Sequence, residues 1–282
     1  MSRPQPSPIL RLLRHPSGAT GLAILAAVLL MAASAGFLFP DGPFAIAGAP
    51  RAWPGADPRF PLGTDALGRD LLAALFYGSR VSLAVGAAAA AVALVIGILV
   101  GALAGYYGGW VDDVLMRLTD AMQTIPSFLA SIAIVGILGA SLTTIIAAIA
   151  VVSWPMIARL VRADFLRLRT YDFVQSCKII GMSDLRIIFG QILPNCLAPI
   201  IVASSVLVAT AIITEASLAF LGLGDPNVMS WGTTLNIGRP ELRSGWYMTV
   251  LPACALVLTV LALNLIGDAL NDVLNPRLRE RA

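Results

Sequence analysis

The sequence predicts an all-α polytopic membrane protein with six transmembrane helices. Of its 282 residues, 58% are hydrophobic and only 12% are charged. Soluble domains average about 25% charged residues, so this composition favours a lipid solvent. In addition, apolar runs of about 20 residues, long enough to cross a bilayer as helices, recur along the chain.

The first predicted helix covers residues 20–39. It follows an N-terminal tail, residues 1–19, that contains arginine and proline but no acidic residue. The competing interpretation is a secretory signal peptide, because Ala33-Ser34-Ala35 resembles a cleavage site. The apolar run exceeds the usual core of ~7–15 residues and more spans follow, so an uncleaved anchor is preferred. Residues 40–80, rich in proline and glycine, are expected to form an extracytoplasmic segment.

The second predicted helix covers residues 81–105 and carries a stripe of small residues. Gly97, Gly101 and Gly105 recur at every fourth position, which gives two overlapping GxxxG patterns. Glycine at this spacing forms a flat helical face against which another helix can pack closely. The alternative is that an alanine-rich membrane helix contains glycine without any packing role.

Four further helices complete a five-helix permease-like core over residues 81–270, which is followed by a tail, residues 271–282. These helices are predicted at residues 115–138, 142–157, 197–221 and 249–270. The helix at 115–138 begins polar, with Arg117, Asp120 and Gln123, and it contains Pro126.

The distribution of basic residues predicts the orientation. With the N-terminus inside, the cytoplasmic segments hold 13 of the 19 Lys and Arg residues, and the outer loops hold the other six. Basic residues favour the cytoplasmic side, so six spans with both termini inside form a self-consistent topology. This topology places the polar segment 159–195 in the cytoplasm.

The composition excludes several classes of function. Lys178, the only lysine, follows Ser176-Cys177 rather than a glycine-rich loop, so the phosphate-binding GxxxxGK[ST] motif is absent and an enzyme is not expected. One histidine and three dispersed cysteines provide neither a catalytic triad nor a metal site, and no cofactor is expected. No concentrated basic face indicates a nucleic-acid partner.

The segment between the fourth and fifth helices has the pattern of two short amphipathic helices. Its apolar residues lie mostly three to four positions apart: Val174, Ile179, Ile180, Leu185, Ile187, Ile188 and Ile192. We expect Gly181 to interrupt the helices, Ser183 or Asp184 to cap the second, and Pro194 to end the segment. The apolar stripe is either a docking element for a soluble partner or a face that lies on anionic lipid headgroups.

This segment resembles the loop shared by membrane subunits of ATP-binding-cassette importers. The family pattern is Glu-Ala-Ala, three residues, Gly, nine residues, an apolar residue, any residue, Leu and Pro. Gly181, Leu193 and Pro194 stand at the corresponding positions. The Glu-Ala-Ala positions and the apolar position are replaced by Gln175-Ser176-Cys177 and by Gln191.

Further stretches resemble the dipeptide/oligopeptide/nickel permease subfamily of these importers, and specifically its "C"-type subunit. They are FPLGTDALGRDLLAALFYGSRVSL (60–83), GALAGYYGGWVDDVLMRLTDAMQTIP (101–126), ARLVRADFL (158–166), ILPN (192–195), EASLAFLGLG (215–224), SWG (230–232) and NLIGDALNDVLNPR (264–277). The matches occur in order from about residue 60 to the C-terminus, and their combination is more specific than any one of them.

The resemblance implies the type I permease fold of these importers, with a cytoplasmic coupling helix in a bacterial inner membrane. The implied partners are a homologous permease subunit, cytoplasmic ATP-binding subunits, an extracytoplasmic substrate-binding protein and the lipid bilayer. The implied ATPase-coupling residues are Gln175, Ser176, Cys177, Gly181, Asp184, Leu193 and Pro194. Because Gln175 lacks the charge of the family's glutamate, we predict that docking depends more on the apolar face and Gly181 than on an ion pair.

The substrate stays open within the resembled subfamily. Dipeptides and oligopeptides are preferred, while glutathione, opines and nickel chelates are alternatives, because selectivity there mostly follows the binding protein. A different class, an ion-gradient-driven secondary transporter, is typically built from internal repeats that this sequence does not show. An intramembrane hydrolase is disfavoured, because a GxSxG-like nucleophile with a membrane histidine is absent.

Glu215 is a candidate for the translocation path. It lies within the predicted fifth helix, about six residues or roughly 9 Å from the outer end. A carboxylate at this depth usually faces a partner or a water-filled cavity. One hypothesis is that Glu215 lines the path and meets a substrate cation. The alternative, slightly preferred, is a structural pair with an arginine such as Arg80, or a side chain that extends to the interface.

Other polar and aromatic residues are expected to have structural roles. Asn264 and Asp268, continued by Asp272, share one face of the sixth helix, and Asp113 and Arg117 have the same i, i+4 spacing in the third. Aromatic residues near the predicted span ends indicate interfacial anchoring: Trp53, Trp110, Trp231, Trp246 and Tyr247. The loop that holds Trp231 and Trp246 is also a candidate contact for the binding protein.

Overall fold

The computed structural model describes residues 8–274, and this range is helical apart from loops and two isolated β-bridges. Five of its helices are long and apolar enough to cross a membrane, and a sixth span results if one sharply bent helix pair is counted as a single span. The predicted all-α, multi-span fold class is therefore confirmed. The tail residues 275–282 lie outside the described residues.

The first three helices are α1 (Pro8–Arg14), α2 (Pro16–Leu38) and α3 (Leu71–Tyr107). Helix α3 begins ten residues before the predicted start at 81, because Asp70 caps it: the carboxylate accepts from the Leu72 N–H at 2.9 Å. The last ten residues of the segment expected to be extracytoplasmic, 40–80, are thus helical.

The predicted third span is a bent pair of helices. Helix α4 (Gly109–Gln123) and helix α5 (Ser127–Leu138) meet at an angle of 80°. Pro126 stands at the break with an extended ψ of 123°. Proline has no N–H to donate and disfavours the helical conformation of the residue before it, so the predicted span 115–138 is divided at Pro126, and its first helix begins earlier, at Gly109.

Helix α6 (Leu142–Leu168) is longer than expected. It continues eleven residues past 157, so the first ten residues of the predicted coupling loop 159–195 belong to α6. Two short helices follow, α7 (Asp172–Ile179) and α8 (Asp184–Ile187), and we call Asp172–Ile187 the α7–α8 unit.

Pro194 does not end this region, contrary to expectation. Helix α8 continues through a π-helical turn, Ile188–Ile192, directly into α9 (Leu193–Leu218). Pro194 lies in the first turn of α9, where its missing N–H and fixed φ are tolerated. A second π-helical turn, Ala219–Leu223, ends α9 on the other side.

Two helices complete the chain, α10 (Trp231–Gly238) and α11 (Tyr247–Leu274). Trp231 is fully buried, and its Nε1–H donates to the Leu75 carbonyl at 3.0 Å. Tyr247 is 1% exposed and its hydroxyl donates to the Ala52 carbonyl at 2.9 Å. These two aromatic residues therefore belong to the core, and interfacial anchoring was the wrong assignment for them.

Helices α3 and α6 pack along the predicted glycine stripe. A Cβ on Gly97 would lie 2.6 Å from the Ile157 Cβ, and a Cβ on Gly105 would lie 2.5 Å from the Phe165 Cβ. Real Cβ atoms do not approach so closely, so the two backbones can meet here only because these residues are glycine. The packing interpretation of the stripe is confirmed.

The charged residues of α4 pair across helices. Arg162 on α6 makes a bidentate ion pair with Asp112, with Nε–Oδ1 at 2.5 Å and Nη2–Oδ2 at 2.6 Å, and Arg159 Nη2 lies 2.6 Å from Asp120 Oδ1. The expected pair within α4, Asp113 with Arg117, is not among the ion pairs of the described residues. The side chains that bind α4 to α6 are therefore those turned towards the neighbouring helix.

Candidate functional site

The α7–α8 unit lies where α3 and α6 end, and one side of it is buried against them. Val174, Ile187 and Ile188 are fully buried, as is Ile192 beyond them. They form one apolar cluster with residues from the ends of α3 and α6: Tyr106, Phe165 and Leu168. About half of the predicted apolar stripe thus packs on the chain's own helices, an arrangement that neither interpretation of the stripe had included.

The opposite side of the α7–α8 unit remains exposed and apolar. Ile179, Ile180 and Leu185 are 85%, 74% and 63% exposed, and they flank the turn at Gly181. Large aliphatic side chains exposed together at a turn indicate a contact surface when polar groups surround them. We call these three residues the exposed apolar cluster.

Gly181 adopts the left-handed conformation that the turn requires. Its φ is +77°, its N–H donates to the Lys178 carbonyl at 3.0 Å, and the Met182 N–H donates to the Cys177 carbonyl at 3.0 Å. These two bonds form a Schellman motif, in which a glycine just after the helix end satisfies the last carbonyl groups. The predicted interruption at Gly181 is therefore present, with a defined geometry.

Gln175 is bound within the chain. It is exposed, and its Nε2 donates to the carbonyl of Arg169, the residue that caps the end of α6, at 2.9 Å. A glutamate at this position would offer only acceptor oxygens to that carbonyl when ionised. The replacement of the family's glutamate thus has a local structural consequence.

Asp184 and Ser183 differ from expectation. Ser183 occupies the N-cap position of α8 but makes no capping hydrogen bond through its side chain, and neither does Asp184. Instead, the Tyr106 hydroxyl at the end of α3 donates to Asp184 Oδ1 at 2.6 Å. Leu193 is half-buried against the apolar cluster, while Pro194 and Ser176 are exposed.

A cavity of about 380 Å³ opens at the α4–α5 bend, between α6 and α9. Its walls carry amide, hydroxyl and apolar groups but no charge: Met122, Gln123, Ile125, Pro126, Ser127, Phe128, Ser131, Val152, Ser153, Met156, Val206, Leu207, Thr210 and Thr214. We call it the bend cavity. The sequence contained a signal for it in the i, i+4 hydroxyl pairs 127/131 and 210/214, but only the bend brings these pairs together.

Three of the five wall hydroxyls are already bonded on one side. Ser131 donates to the Ser127 carbonyl, Thr210 to the Val206 carbonyl and Thr214 to the Thr210 carbonyl, each at 2.9 Å. Each hydroxyl oxygen retains acceptor capacity. The bend cavity can therefore accept hydrogen bonds from N–H groups without exposing an unpaired charge.

Glu215 is 2% exposed and does not pair with Arg80. Its Oε2 accepts from the Ser82 hydroxyl at 3.1 Å, and that hydroxyl lies 3.4 Å from the backbone N–H of Trp231, the first residue of α10. Arg80 points elsewhere, and its Nε donates to the Ala32 carbonyl at 3.1 Å. Glu215 forms no part of the wall of the bend cavity or of a second, apolar cavity of about 450 Å³ beside α9.

Among the described residues, no group of three or more His, Cys, Asp or Glu side chains could hold a metal ion. Outside the membrane-spanning helices, the largest electrostatic effect concerns Glu241. Arg51 and Ser244 hydrogen-bond to its carboxylate and lower the pKa of Glu241 to about 2.

The chain matches a protein-family model described as binding-protein-dependent transport system inner membrane component over residues 97–280. It is 39% identical over 235 residues to the di/tripeptide transport system permease protein DppC of Pseudomonas aeruginosa (strain UCBPP-PA14). The matched region covers 83% of this chain and 78% of that protein. It is 41% identical over 271 residues to a putative peptide transport system permease protein of Brucella abortus biovar 1 (strain 9-941), covering 95% and 90%.

A glutathione permease and one solved structure are also similar. The glutathione transport system permease protein GsiD of Escherichia coli O6:K15:H31 (strain 536 / UPEC) is 42% identical over 218 residues, covering 77% of this chain and 72% of that protein. The structure of inward facing conformations of the MetNI methionine ABC transporter superposes with a TM-score of 0.58 at 20% identity, over 71% of this chain and 96% of that one. At that identity the superposition shows a common fold only.

Proposed function

The chain belongs to the family of binding-protein-dependent transport system inner membrane components and is a permease subunit of an ATP-binding-cassette importer. On this premise we propose that it moves a small peptide, or a peptide-like solute such as glutathione, across the bacterial inner membrane. The relatives that carry these substrate names are about 40% identical to it. Their names support the substrate class and do not select one member of it.

We propose that energy enters through other subunits. The chain has one lysine and no phosphate-binding loop, so ATP would be hydrolysed by cytoplasmic partner subunits. A homologous permease subunit would complete the path, and an extracytoplasmic binding protein would deliver the solute. The family description, which names binding-protein-dependent transport, supports this assembly.

The observation that carries the coupling proposal is the two-sided α7–α8 unit. Its inner face is buried on α3 and α6, while Ile179, Ile180 and Leu185 remain exposed around Gly181. A partner bound to the exposed apolar cluster would transmit its movement to α3 and α6, because the inner face of the α7–α8 unit is packed against these helices. The coupling residues named from the sequence all lie on this unit or at the start of α9.

The bend cavity is the proposed contribution of this chain to the translocation path. Its hydroxyl oxygens suit the N–H groups of a peptide, and the absence of charge from its walls avoids tight binding of either terminus. A thiol introduced by Thr210→Cys should be protected from alkylation by bound peptide. If peptide gives no protection, the path lies elsewhere.

We propose that the α7–α8 unit is cytoplasmic, because the segments on that side hold 13 of 19 basic residues. Lys178, the only lysine, permits a direct check with an impermeant amine reagent. Labelling should occur in inverted vesicles and be absent in the Lys178→Arg variant. Labelling of Lys178 in intact cells would contradict this orientation.

The test of the proposed function is peptide uptake by the reconstituted complex with Gly181 variants. Uptake should be sensitive to vanadate, and Gly181→Val should reduce it about tenfold, because a β-branched residue is strained at φ +77°. Gly181→Asn is the matched control, since asparagine tolerates this conformation and should retain most uptake. No atom lies within 4 Å of a Cβ at this position, so strain rather than a clash would be responsible.

Two outcomes would contradict the proposal. The first is uptake that persists in vanadate and collapses with an ion gradient, which would indicate a secondary transporter. The second concerns assembly with the ATPase subunits in a pull-down. If Gln175→Glu abolished assembly while Gly181→Trp left it intact, an ion-pair-based interface would replace the apolar one.

A further inference from the structure

Tyr106 connects α3 to both helices of the α7–α8 unit. It is the next-to-last residue of α3 and is 6% exposed. Its hydroxyl donates to Asp184 Oδ1 of α8 at 2.6 Å, and Lys178 Nζ of α7 lies 5.1 Å from its ring centroid. The phenol therefore contacts one anion and one cation that stand on opposite sides of the Gly181 turn.

The backbone of Tyr106 extends the connection to α6. Arg169 Nη1, at the end of α6, donates to the Tyr106 carbonyl at 3.3 Å, and Gln175 Nε2 of α7 donates to the Arg169 carbonyl at 2.9 Å. One chain of polar contacts thus runs from α7 through the ends of α6 and α3 to α8. No ion pair joins Lys178 and Asp184 directly among the described residues, so their link passes through Tyr106.

Helix α3 is positioned to carry a displacement from this point. It is packed closely on α6 at Gly97, Gly101 and Gly105, directly before Tyr106. Its 37 residues correspond to about 55 Å of helix, and its other end contacts α10 through Ser82 and Gly78. A shift of Tyr106 therefore moves the α3–α6 pair rather than a loop.

We propose that Tyr106 is the positioning residue that transmits movement of the α7–α8 unit to the transmembrane helices. This inference rests on the proposed function. The hydroxyl bond to a carboxylate is charge-assisted, and the ring is held beside an ammonium group, so the contact resists both separation and sliding. Apolar packing of Val174 and Ile187 is non-directional, so the polar contacts of Tyr106 add a fixed position along α3 and α6.

The experiment compares Tyr106→Phe with Tyr107→Phe in the reconstituted complex. Tyr107 is the adjacent aromatic residue, with its ring 5.2 Å from that of Tyr106 and a hydroxyl that makes no hydrogen bond within the described residues. The measurements are assembly with the ATPase subunits, the ATP hydrolysis rate and the number of peptides imported per ATP hydrolysed.

Tyr106→Phe should leave assembly and ATP hydrolysis within about twofold and lower the import-to-hydrolysis ratio about tenfold. Removing a hydrogen bond to a charged group supports a factor of this size. Tyr107→Phe should leave the ratio unchanged. Asp184→Ala should lower the ratio as Tyr106→Phe does, and the double variant should be no worse than either single one, because both remove the same contact.

Three results would overturn the inference. One is an unchanged import-to-hydrolysis ratio in Tyr106→Phe. Another is a parallel loss of assembly, hydrolysis and import, which would assign Tyr106 to folding alone. The third is additivity of the Tyr106 and Asp184 variants. Failure of the proposed function itself is distinguishable, because the unaltered complex would then show no vanadate-sensitive import.

Discussion

At position 175, a carboxamide and a carboxylate are not equivalent. Gln175 donates to the carbonyl of Arg169 and so satisfies one of the acceptor groups left free at the end of α6. An ionised glutamate would place negative oxygens near that carbonyl and could not donate. The connection between α6 and α7 in this chain therefore includes a hydrogen bond that requires the amide of Gln175.

Glu215 provides a prediction at the residue scale. We expect Glu215→Gln to keep the KM for peptide within about twofold, because the buried carboxylate contacts Ser82 and the start of α10 rather than a cavity. Glu215→Leu should lower stability by about 1–3 kcal/mol, since the buried Ser82 hydroxyl loses the carboxylate that accepts its proton. Thermal unfolding in detergent and uptake kinetics measure the two effects.

Ser217→Ala is the control on the same helix, because the one hydrogen bond that the Ser217 hydroxyl makes within residues 8–274 is to the Ile213 carbonyl of α9. It should change neither quantity. A KM increase above tenfold in Glu215→Gln with unaltered stability would show instead that the carboxylate meets the substrate.

At the scale of elements, the contact between α3 and α6 depends on the absence of side chains. Gly101→Ala should lower stability by about 1–3 kcal/mol, as overpacking typically does, because the new Cβ would lie 2.8 Å from the Val161 Cβ and still nearer to the Ala158 carbonyl. The melting temperature of the purified subunit measures the loss.

Gly136→Ala is the matched control for this prediction. Gly136 lies in α5, and a Cβ there would have no neighbour within 4 Å. Alanine favours helix over glycine by about 0.5–1 kcal/mol, so this variant should be neutral or slightly more stable. Equal losses from both substitutions would show that helix propensity, not close packing, determines the effect.

The bend between α4 and α5 also depends on contacts between different helices. Pro126 permits the break, but two ion pairs from α6, Arg162 with Asp112 and Arg159 with Asp120, hold α4 in place. The bend cavity depends on this arrangement, because residues 123 and 125–128 at the break supply part of its wall.

At the scale of the whole molecule, Arg51 and Glu241 join segments 190 residues apart. Arg51 and Ser244 lower the pKa of Glu241 to about 2, below its unfolded value of about 4.3. Since the folded pKa is the lower one, the stabilisation is present above about pH 4.3 and is lost as the pH falls towards 2. We therefore expect the contact between the loop that holds Arg51 and the turn that holds Glu241 to loosen in that pH window.

Trp53 fluorescence can report this loosening, because its ring packs 6.4 Å from Trp246 and 5.2 Å from Tyr247. The purified subunit should show an emission change between pH 4.3 and 2 that is missing in Trp53→Phe. Glu241→Gln should show the loosened signal already at neutral pH. A Glu241→Gln protein with the unaltered pH profile would refute the role of this ion pair.

Several features were predictable from residues alone because they depend on local chemistry. The glycine spacing at 97, 101 and 105 predicted a packing face, and Gly181 predicted a turn, since each follows from the steric properties of one residue type. The apolar runs predicted the spans for the same reason. The partners of Glu215, Asp184 and Gln175 were not predictable, because each lies on an element distant in sequence or beyond a turn.

The sequence by itself determined that this chain crosses a membrane several times, that it belongs with binding-protein-dependent permeases and that it contains no GxxxxGK[ST] motif. Periodicity, composition and motif spacing are local properties, so they can be recognised without knowledge of the fold. Only the tertiary structure decided which side of the α7–α8 unit is buried, that the third span is bent, and that Tyr106 bridges Lys178 and Asp184. These features depend on how the ends of different helices meet in space. Packing between helices that are distant in sequence sets that arrangement, so no single stretch of the sequence reveals it.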